Sequence, residues 1–337
     1  MRLLPSPRIL HLRSRASRMS ACSPAPSSAA LDISFIPKLD ASKHKGQAGR
    51  VGVVGGCFEY TGAPFFASMS ALRVGADLSL VFCTRGAGPV IKSYSPELIV
   101  HPVLPVKEES GENSAVQGVE AGTSAVVALF PRLDALVVGP GMGRDESVLA
   151  TAEAIVSEAV ARRLPLVIDG DGLFLVCRRP GLISRRDASR VVLTPNVNEF
   201  SRLWAAVHGG ESAPADASDE QLRTLSRLLG GAVVVRKGGV DCVASSATTA
   251  VLRCAEEGSL RRCGGQGDVL AGTISVFVAW SARAKTSDLA QAVHTACAVC
   301  RRAAKAAFAV KKRSMVASDL IEQLGGVMEE LAPVEGH

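Results

Sequence analysis

Aromatic side chains are scarce in this sequence, which has 10 Phe, 2 Tyr and 2 Trp among 337 residues. With few rings available, the core has to be built from smaller residues such as Val, Leu, Ala and Ile. That composition is typical of buried parallel strands covered by helices. Long apolar runs are missing too, because no uninterrupted segment approaches the roughly 18 residues that a membrane-spanning helix needs. We therefore expect no membrane partner.

Acidic residues are absent from the first 31 positions, which contain five arginines and many serines and prolines. This composition is typical of an organelle transit peptide, although a disordered basic tail has the same composition. We interpret residues 1–31 as a leader for the mitochondrion or a plastid, and residues 32–337 as one domain. Translation from Met19, just past the last of these arginines, would give a cytosolic form.

Residues outside the leader carry almost no net charge. Without its five arginines, the 38 basic residues fall to 33, against 32 acidic ones. A nearly neutral domain gives no support to non-specific nucleic-acid binding, so we expect no nucleic-acid partner. The nine cysteines include one C-x-x-C, Cys297 to Cys300, without the second pair that a structural zinc site needs. We expect reduced thiols.

Two common nucleotide-binding motifs, the P-loop and G-x-G-x-x-G, are missing as well. Instead, Gly-Gly-Gln-Gly at 264–267 leads into Asp268 and an apolar run, 269–280, that predicts a buried helix. Glycines let amides turn inward, and a helix N-terminus adds unpaired N–H groups and a positive dipole end. This predicts an anion hole for a phosphoryl group, with Asp268 as a general base. Alternatively, Asp268 is only a capping or first-turn acid.

Apolar strands and helical segments alternate along the chain, which predicts an α/β domain with a mainly parallel sheet. A polar segment, 208–220, is predicted as a loop, and 242–254 as a hairpin. Glycines or polar residues follow four of the predicted strands, and ligands of such sheets bind beyond the carboxyl ends of the strands. We expect four such segments to converge on the glycine loop: 139–144, 169–172, 194–199 and 236–239.

Six motifs carry a resemblance to a known family. They are GPGMGRD (139–145), IDGDG (168–172), TPNVNEFSRL (194–203), VRKGG (235–239), RRCGGQGDVLAG (261–272) and RSMVASDLI (313–321). From about residue 35 to 331, the chain resembles the ATP-dependent NAD(P)H-hydrate dehydratases. The resemblance implies a ribokinase-like, three-layer α/β/α fold. It also implies an enzyme that uses ATP to convert the hydrates (S)-NADHX and (S)-NADPHX back to NADH and NADPH.

The resemblance further implies the site residues, with Asp268 at the reacting centre. The residues that match the hydrated-nicotinamide site are Gly141, Asn196, Val197, Asn198, Glu199, Phe200, Ser201 and Arg202. Those that match the ATP site are Lys237, Gly238, Gly239, Val240, Asp241, Gly258, Ser259, Leu260, Arg261, Arg262, Cys263, Gly264, Gly265, Gln266 and Gly267. Glu199, in the Asn-x-x-Glu pair of ribokinase-like proteins, is expected to place Mg²⁺, mainly through water.

Our mechanistic hypothesis is phosphorylation of the ring hydroxyl followed by elimination of phosphate. We expect Asp268 to be ionised at neutral pH, because the helix dipole and nearby amides favour a charged carboxylate. Lys237 either neutralises nucleotide phosphate or belongs to an ordinary Lys-Gly-Gly turn. Asp169 and Asp171 either hold Mg²⁺ or cap the helix at Leu173, and for Asp171 we expect capping. Instead of placing Mg²⁺, Glu199 could be a solvated acid in the first turn of its helix.

Two other functions share these features. One is a ribokinase-like vitamin kinase acting on a hydroxymethylpyrimidine, thiazole or pyridoxal substrate. The other is a nucleotide-binding sensor without turnover, which would have no need of the base at Asp268. We expect a homo-oligomer whose size the sequence does not fix, and a separate epimerase that interconverts the hydrate epimers.

Overall fold

The computed structural model describes residues 31–107, 112–211, 213, 216–284 and 288–334, with the backbone alone for 112–115. Residues 1–30 of the predicted leader, including Met19, lie outside the described residues. Within the described ranges, no helix combines the length and the apolar character required to cross a bilayer.

One sheet runs through the described residues, and its strands β1 to β7 are all parallel. The last two strands form an antiparallel hairpin, as predicted. In chain order the strands are β1 Arg50–Val54, β2 Leu78–Thr84, β3 Ile99–Leu104, β4 Ala135–Val138, β5 Leu166–Ile168, β6 Val191–Leu193, β7 Val233–Arg236, β8 Asp241–Ala244 and β9 Leu252–Cys254. Their order across the sheet is β3-β2-β1-β4-β5-β6-β7-β8-β9.

Helices connect and cover these strands. They are α1 Gly62–Val74, α2 Gly88–Tyr94, α3 Glu112–Val127, α4 Glu146–Ala161, α5 Asp171–Arg178, α6 Gly181–Ser184, α7 Val197–Val207, α8 Asp219–Leu228, α9 Gln266–Ala284, α10 Leu289–Lys311 and α11 Ala317–Leu331. The prediction of a loop over 208–220 is wrong for its last two residues. Ser218 and Gln221 form a capping box, so α8 already begins at Asp219. Helix α2 starts with a proline in its first turn, where the missing N–H costs nothing.

Both faces of the sheet are buried. Alternate residues of a strand point to opposite faces, so Val53 belongs to the core cluster formed with α1, α9, α10 and α11, while Val54 belongs to the one formed with α3, α4, α5, α7 and α8. This two-sided burial explains why the strands have continuous apolar sequences rather than alternating ones. The predicted three-layer α/β/α fold with a mainly parallel sheet is confirmed.

Close contact between α1 and α9 fixes the helix that follows the glycine loop. A Cβ added at Gly272 of α9 would lie 2.0 Å from the carbonyl oxygen of Ala67 in α1. Any larger residue at 272 would push the two backbones apart. The N-terminus of α9, with Asp268 in its first turn, is therefore held by backbone packing.

Candidate active site

The ends of β5 and β7 meet in a buried ion pair. Lys237 Nζ donates a hydrogen bond to Asp169 Oδ1 at 2.8 Å, and the two side chains are 19% and 5% exposed. The backbone N–H of Lys237 also donates to the carbonyl of Pro195, after β6, at 2.8 Å. A Cβ built on Gly267 would lie 3.3 Å from Lys237 Nζ. Three of the four predicted strand-end segments thus converge on the glycine loop.

The fourth segment, 139–144, is connected to the segment after β5 through Asp171. Its carboxylate accepts hydrogen bonds from the backbone N–H of Gly143 at 2.9 Å and from Arg144 Nε at 3.3 Å. The expectation that Asp171 caps its helix is wrong. Gly170 occupies the N-cap position with φ +52° and ψ −122°, and Asp171 is the first helical residue. Its carboxylate therefore ties the turn after β4 to the start of α5.

The Asn-x-x-Glu pair closes the N-terminus of α7. Asn196 Oδ1 accepts from the N–H groups of Asn198 and Glu199, each at 3.0 Å, and Glu199 Oε2 accepts from Asn196 N–H at 2.8 Å. Glu199 is half-buried rather than solvated, and burial raises the pKa of its carboxyl against the effect of that backbone N–H. Phe200, the next residue, is packed in the core with 1% of its surface exposed.

Asp268 lies in the first turn of α9, as its structural alternative predicted, and it is half-buried. Burial raises the pKa of Asp268 to about 7, the Asp169 carboxylate adds to this rise, and Lys237 opposes it. The expectation that Asp268 is ionised at neutral pH is therefore corrected: the carboxyl is only partly ionised there, because burial and Asp169 raise its pKa more than Lys237 and the backbone hydrogen bond lower it. A carboxyl with a pKa near 7 is well matched to general base catalysis at neutral pH.

Lys237 keeps its charge in the same surroundings. Burial acts to lower the pKa of Lys237, but the carboxylates of Asp169, Glu199 and Asp268 together raise it. The cluster of Asp169, Lys237 and Asp268, which we call the carboxylate–lysine cluster, thus contains one fixed cation and two acids. Asp169 and Lys237 follow β5 and β7, which flank β6 in the sheet, so the strand order brings these two residues close together.

A cavity of about 440 Å³ lies beside the glycine loop, and we call it the glycine-loop cavity. Predicted ATP-site residues that line it are Lys237, Gly238, Gly239, Asp241, Gly258, Ser259, Leu260, Arg262, Gln266 and Gly267. Arg301 of α10 also lines it and was not predicted. The other predicted residues, Val240, Arg261, Cys263, Gly264 and Gly265, flank this lining in the same two segments.

A second cavity, of about 660 Å³, lies between α5, α7 and the turn after β4, and we call it the α5–α7 cavity. Of the predicted dinucleotide-site residues, Gly141, Glu199 and Arg202 line it. The others, Asn196, Val197, Asn198, Phe200 and Ser201, build the first turns of α7 behind that wall. Sequence reasoning missed Tyr60, Arg144 and Phe174, although Arg144 stands inside the GPGMGRD motif.

One residue in the wall of each cavity couples the two cavities electrostatically. Lys237 lines the glycine-loop cavity, Glu199 lines the α5–α7 cavity, and each shifts the pKa of the other. Asp268 directly follows Gly267, the last lining residue of the glycine loop. A phosphate donor in the glycine-loop cavity would therefore lie close to a carboxyl that titrates near neutral pH.

A family model described as NAD(P)H-hydrate dehydratase matches residues 51–325, which is most of the chain. The chain belongs to the NAD(P)H-hydrate dehydratase family. This dehydratase is 48% identical over 305 residues to the mouse protein named ATP-dependent (S)-NAD(P)H-hydrate dehydratase, and the match covers 88% of this chain and 83% of the mouse protein. The predicted family and enzyme class are thereby confirmed.

Solved structures support the fold of the dehydratase. A ribokinase-like superfamily protein from Enterococcus faecalis has a TM-score of 0.68 at 21% identity, covering 88% of this chain and 93% of its own. The Bacillus subtilis ADP/ATP-dependent NAD(P)H-hydrate dehydratase, co-crystallised with ATP and Mg²⁺, has a TM-score of 0.63 at 21% identity, covering 87% and 94%. At this identity the likeness confirms the predicted ribokinase-like fold alone.

Proposed function

We propose that this dehydratase restores NADH and NADPH from their (S)-hydrates by phosphorylating the ring hydroxyl with ATP and then eliminating phosphate. The observation that carries the proposal is the ion pair between Asp169 and Lys237, in the wall of the glycine-loop cavity, together with the raised pKa of the nearby Asp268. ATP would occupy the glycine-loop cavity, and the hydrated nicotinamide would occupy the α5–α7 cavity. The name of the mouse relative supports both substrates.

Asp268 would start the reaction as a general base. It accepts the proton of the ring hydroxyl while the hydroxyl oxygen attacks the terminal phosphorus of ATP, and ADP leaves. Hydroxide is a poor leaving group, whereas the phosphate of the ester formed in this step is a good one. The lone pair of the ring nitrogen then expels phosphate with the carbon–oxygen bond electrons. Loss of a proton from the neighbouring ring carbon restores the reduced nicotinamide.

The glycine loop would stabilise the transferring phosphoryl group. Phosphoryl transfer depends chiefly on positioning and charge neutralisation, because its transition state is loose in most analyses. The amides of 264–267 stand at the N-terminus of α9, where unpaired N–H groups and the helix dipole favour an anion. Lys237 adds a fixed positive charge to the same cavity.

We further propose that Mg²⁺ takes part, with Glu199 placing it through water. The donor chemistry fits, because Mg²⁺ prefers oxygen ligands, keeps several waters and binds nucleotide phosphates. Glu199 offers a half-buried carboxylate on a cavity wall, close enough to interact with Lys237. When bound, the ion would neutralise charge on the nucleotide phosphates.

One assay tests the reaction. The protein is incubated with ATP, Mg²⁺ and enzymatically hydrated NADH, while reduced-nicotinamide absorbance, ADP and inorganic phosphate are followed together. We expect the three products to rise in equal amounts. A vitamin kinase would instead accumulate a phosphorylated vitamin, and a sensor would bind ATP without turnover. No gain in reduced-nicotinamide absorbance would overturn the proposal.

We also propose that residues 32–337 form one domain, since a single sheet takes its strands from Arg50 to Cys254 and α9–α11 cover one face. Residues 1–31 would direct it to the mitochondrion or a plastid, with a cytosolic form starting at Met19. A fluorescent protein fused to residues 1–31 tests this, because a purely cytosolic signal would contradict targeting.

Two partner proposals complete the function. The relatives are named for the (S) form, so a separate epimerase would have to supply it from the other hydrate epimer. Adding such an epimerase to a mixture of both epimers should raise the yield of NADH towards completion. We also propose a homo-oligomer, and sedimentation at the mass of a single chain would contradict it.

A further inference from the structure

Arg301 of α10 is buried against the glycine-loop cavity and makes an unusually complete set of contacts. Its side chain is 14% exposed, whereas arginine heads mostly reach water. Nε donates to Asp241 Oδ2 at 2.6 Å, and Nη2 donates to the carbonyl of Gly238 at 2.8 Å. Nη1 donates to the carbonyls of Gly239 at 2.8 Å and Glu256 at 3.2 Å.

These contacts join two segments that are separate along the chain. Residues 238–241 follow β7, and Glu256 precedes the glycine loop, with the β8–β9 hairpin between them. The aliphatic part of Arg301 lies along Gly258, where an added Cβ would be 3.7 Å from Arg301 Cγ. One side chain thus holds both segments of the cavity wall, and it lines the cavity itself.

Asp241 is explained by the same arrangement. The resemblance implies that it is an ATP-site residue, but its side chain is 10% exposed. Its two carboxylate oxygens accept from Gly238 N–H at 3.0 Å and from Arg301 Nε. The structure therefore assigns the Asp241 carboxylate to holding the loop and Arg301.

Arg301 also sets the orientation of two peptide planes. The carbonyls of Gly238 and Gly239 point at its guanidinium, and all described peptide bonds are trans. In a trans peptide, the N–H of the next residue points the opposite way, so the N–H groups of Gly239 and Val240 face away from the guanidinium. A planar fork of five donors can bind several carbonyls at once, which the single ammonium of lysine cannot do.

We propose that Arg301 is a positioning residue for the nucleotide: it locks the 238–241 loop to the 256–258 segment and so sets the width of the glycine-loop cavity. The inference rests on the proposed function only in taking this cavity as the ATP site. Because Arg301 is paired with Asp241, its action is to hold backbone rather than to present a free charge.

The test compares Arg301→Lys with wild type. Lysine keeps the charge next to Asp241 but loses most of the carbonyl contacts. We expect the dissociation constant of Mg²⁺–ATP, measured by calorimetry without the second substrate, to rise about tenfold, as for loss of one hydrogen bond to a charged group. In turnover, the KM for ATP should rise similarly, while the KM for the hydrated dinucleotide stays unchanged.

Arg302→Met is the matched control. Arg302, the next residue of α10, pairs with the side chain of Glu256 through Nη2 at 2.8 Å and contacts no backbone carbonyl among the described residues. It should leave the affinity for ATP within about twofold of wild type, as expected for a partly exposed pair. If Arg301→Lys melts early, the double variant Arg301→Met/Asp241→Asn removes both buried charges and should show the same loss of ATP affinity.

Failure of this inference differs from failure of the proposed function. If wild type binds Mg²⁺–ATP but does not restore NADH, the proposed function fails, and the Arg301 comparison still decides the inference. If the folded Arg301 variants bind Mg²⁺–ATP as tightly as wild type, or if both KM values rise equally, Arg301 does not position the nucleotide.

Discussion

The two cavities at the carboxyl ends of the strands are built in different ways. The glycine-loop cavity is lined by four glycines and by charged side chains such as Lys237, Arg262 and Arg301, and its described lining includes no aromatic ring. The α5–α7 cavity also has glycines in its lining, but two aromatic rings, Tyr60 and Phe174, form part of its wall. Phosphates can be bound by amides, whereas a nicotinamide ring and its sugar need side chains of particular shape. The glycine-loop cavity therefore suits the phosphates of ATP, and the α5–α7 cavity suits the nicotinamide ring and its sugar.

Asp268→Asn should have the largest effect, because Asp268 is the proposed general base and is not among the lining residues of either cavity. The amide keeps nearly the same shape but cannot accept the proton, so kcat should fall by about 10²–10⁴-fold. Binding of Mg²⁺–ATP should be retained. Steady-state kinetics with calorimetry check both, and a variant within a few-fold of wild-type kcat would remove Asp268 from the base role.

Lys237→Met should lower both the stability of the protein and its affinity for ATP. It leaves the Asp169 carboxylate, 5% exposed, without its cation, and breaking a buried pair in this way costs about 3–5 kcal/mol of unfolding free energy. The double variant Lys237→Met/Asp169→Asn should regain much of that stability in denaturant unfolding but not the affinity for ATP. Equal stability of the single variant and wild type would show that the pair does not stabilise the fold.

Gly265→Ala tests how far the glycine-loop cavity depends on backbone shape. Gly265 has φ +90°, and an added Cβ would lie 2.7 Å from the Phe66 ring and 2.8 Å from Ala317 Cβ. We expect a loss of about 1–3 kcal/mol in unfolding free energy. Gly264→Ala is the matched control, since no atom lies within 4 Å of its added Cβ. Equal melting of the two variants would contradict this account.

The pH dependence separates binding from chemistry. Burial and the Asp169 carboxylate raise the pKa of Asp268 to about 7, and a base must be deprotonated to act. Activity should therefore be full above pH 7 and fall about tenfold per unit as the pH drops below it. The affinity for Mg²⁺–ATP should change much less between about pH 6 and 8, where the bound nucleotide keeps most of its charge. Activity that stays flat down to about pH 5 would contradict the raised pKa.

Arg144→Met should give the smallest effect, confined to the α5–α7 cavity. The Arg144 guanidinium lies 4.2 Å from the centre of the Phe174 ring and 3.3 Å from Asp171. Because this side chain is 59% exposed, we expect the KM for the hydrated dinucleotide to rise only about three- to tenfold, with the KM for ATP unchanged. Arg178→Met is the control: Arg178 lies near the same ring, at 5.9 Å, but outside the cavity lining.

The two cavities also differ in how far the sequence predicts them. The glycine-loop cavity has a local signal, because its glycines and Lys237 follow apolar strands directly. Tyr60 and Phe174 reach the α5–α7 cavity from separate segments, and although Phe174 follows the predicted segment 169–172, neither ring belongs to a motif that indicates ligand contact. The pKa of Asp268 could not be predicted either, since it depends on burial in the folded chain and on Asp169, which the sheet brings close. The α/β class was predictable from alternating elements, but the strand order follows from packing that no single segment encodes.

The central claim is that phosphate from ATP is joined to the ring hydroxyl before that oxygen leaves. The direct test uses hydrated NADH with a heavy oxygen isotope in its hydroxyl group, converted by wild-type protein with unlabelled ATP and water. We predict that the label appears in inorganic phosphate, in equal amount to the NADH formed. Label released as water, with unlabelled phosphate, would mean that ATP hydrolysis and dehydration are separate events and would contradict the account.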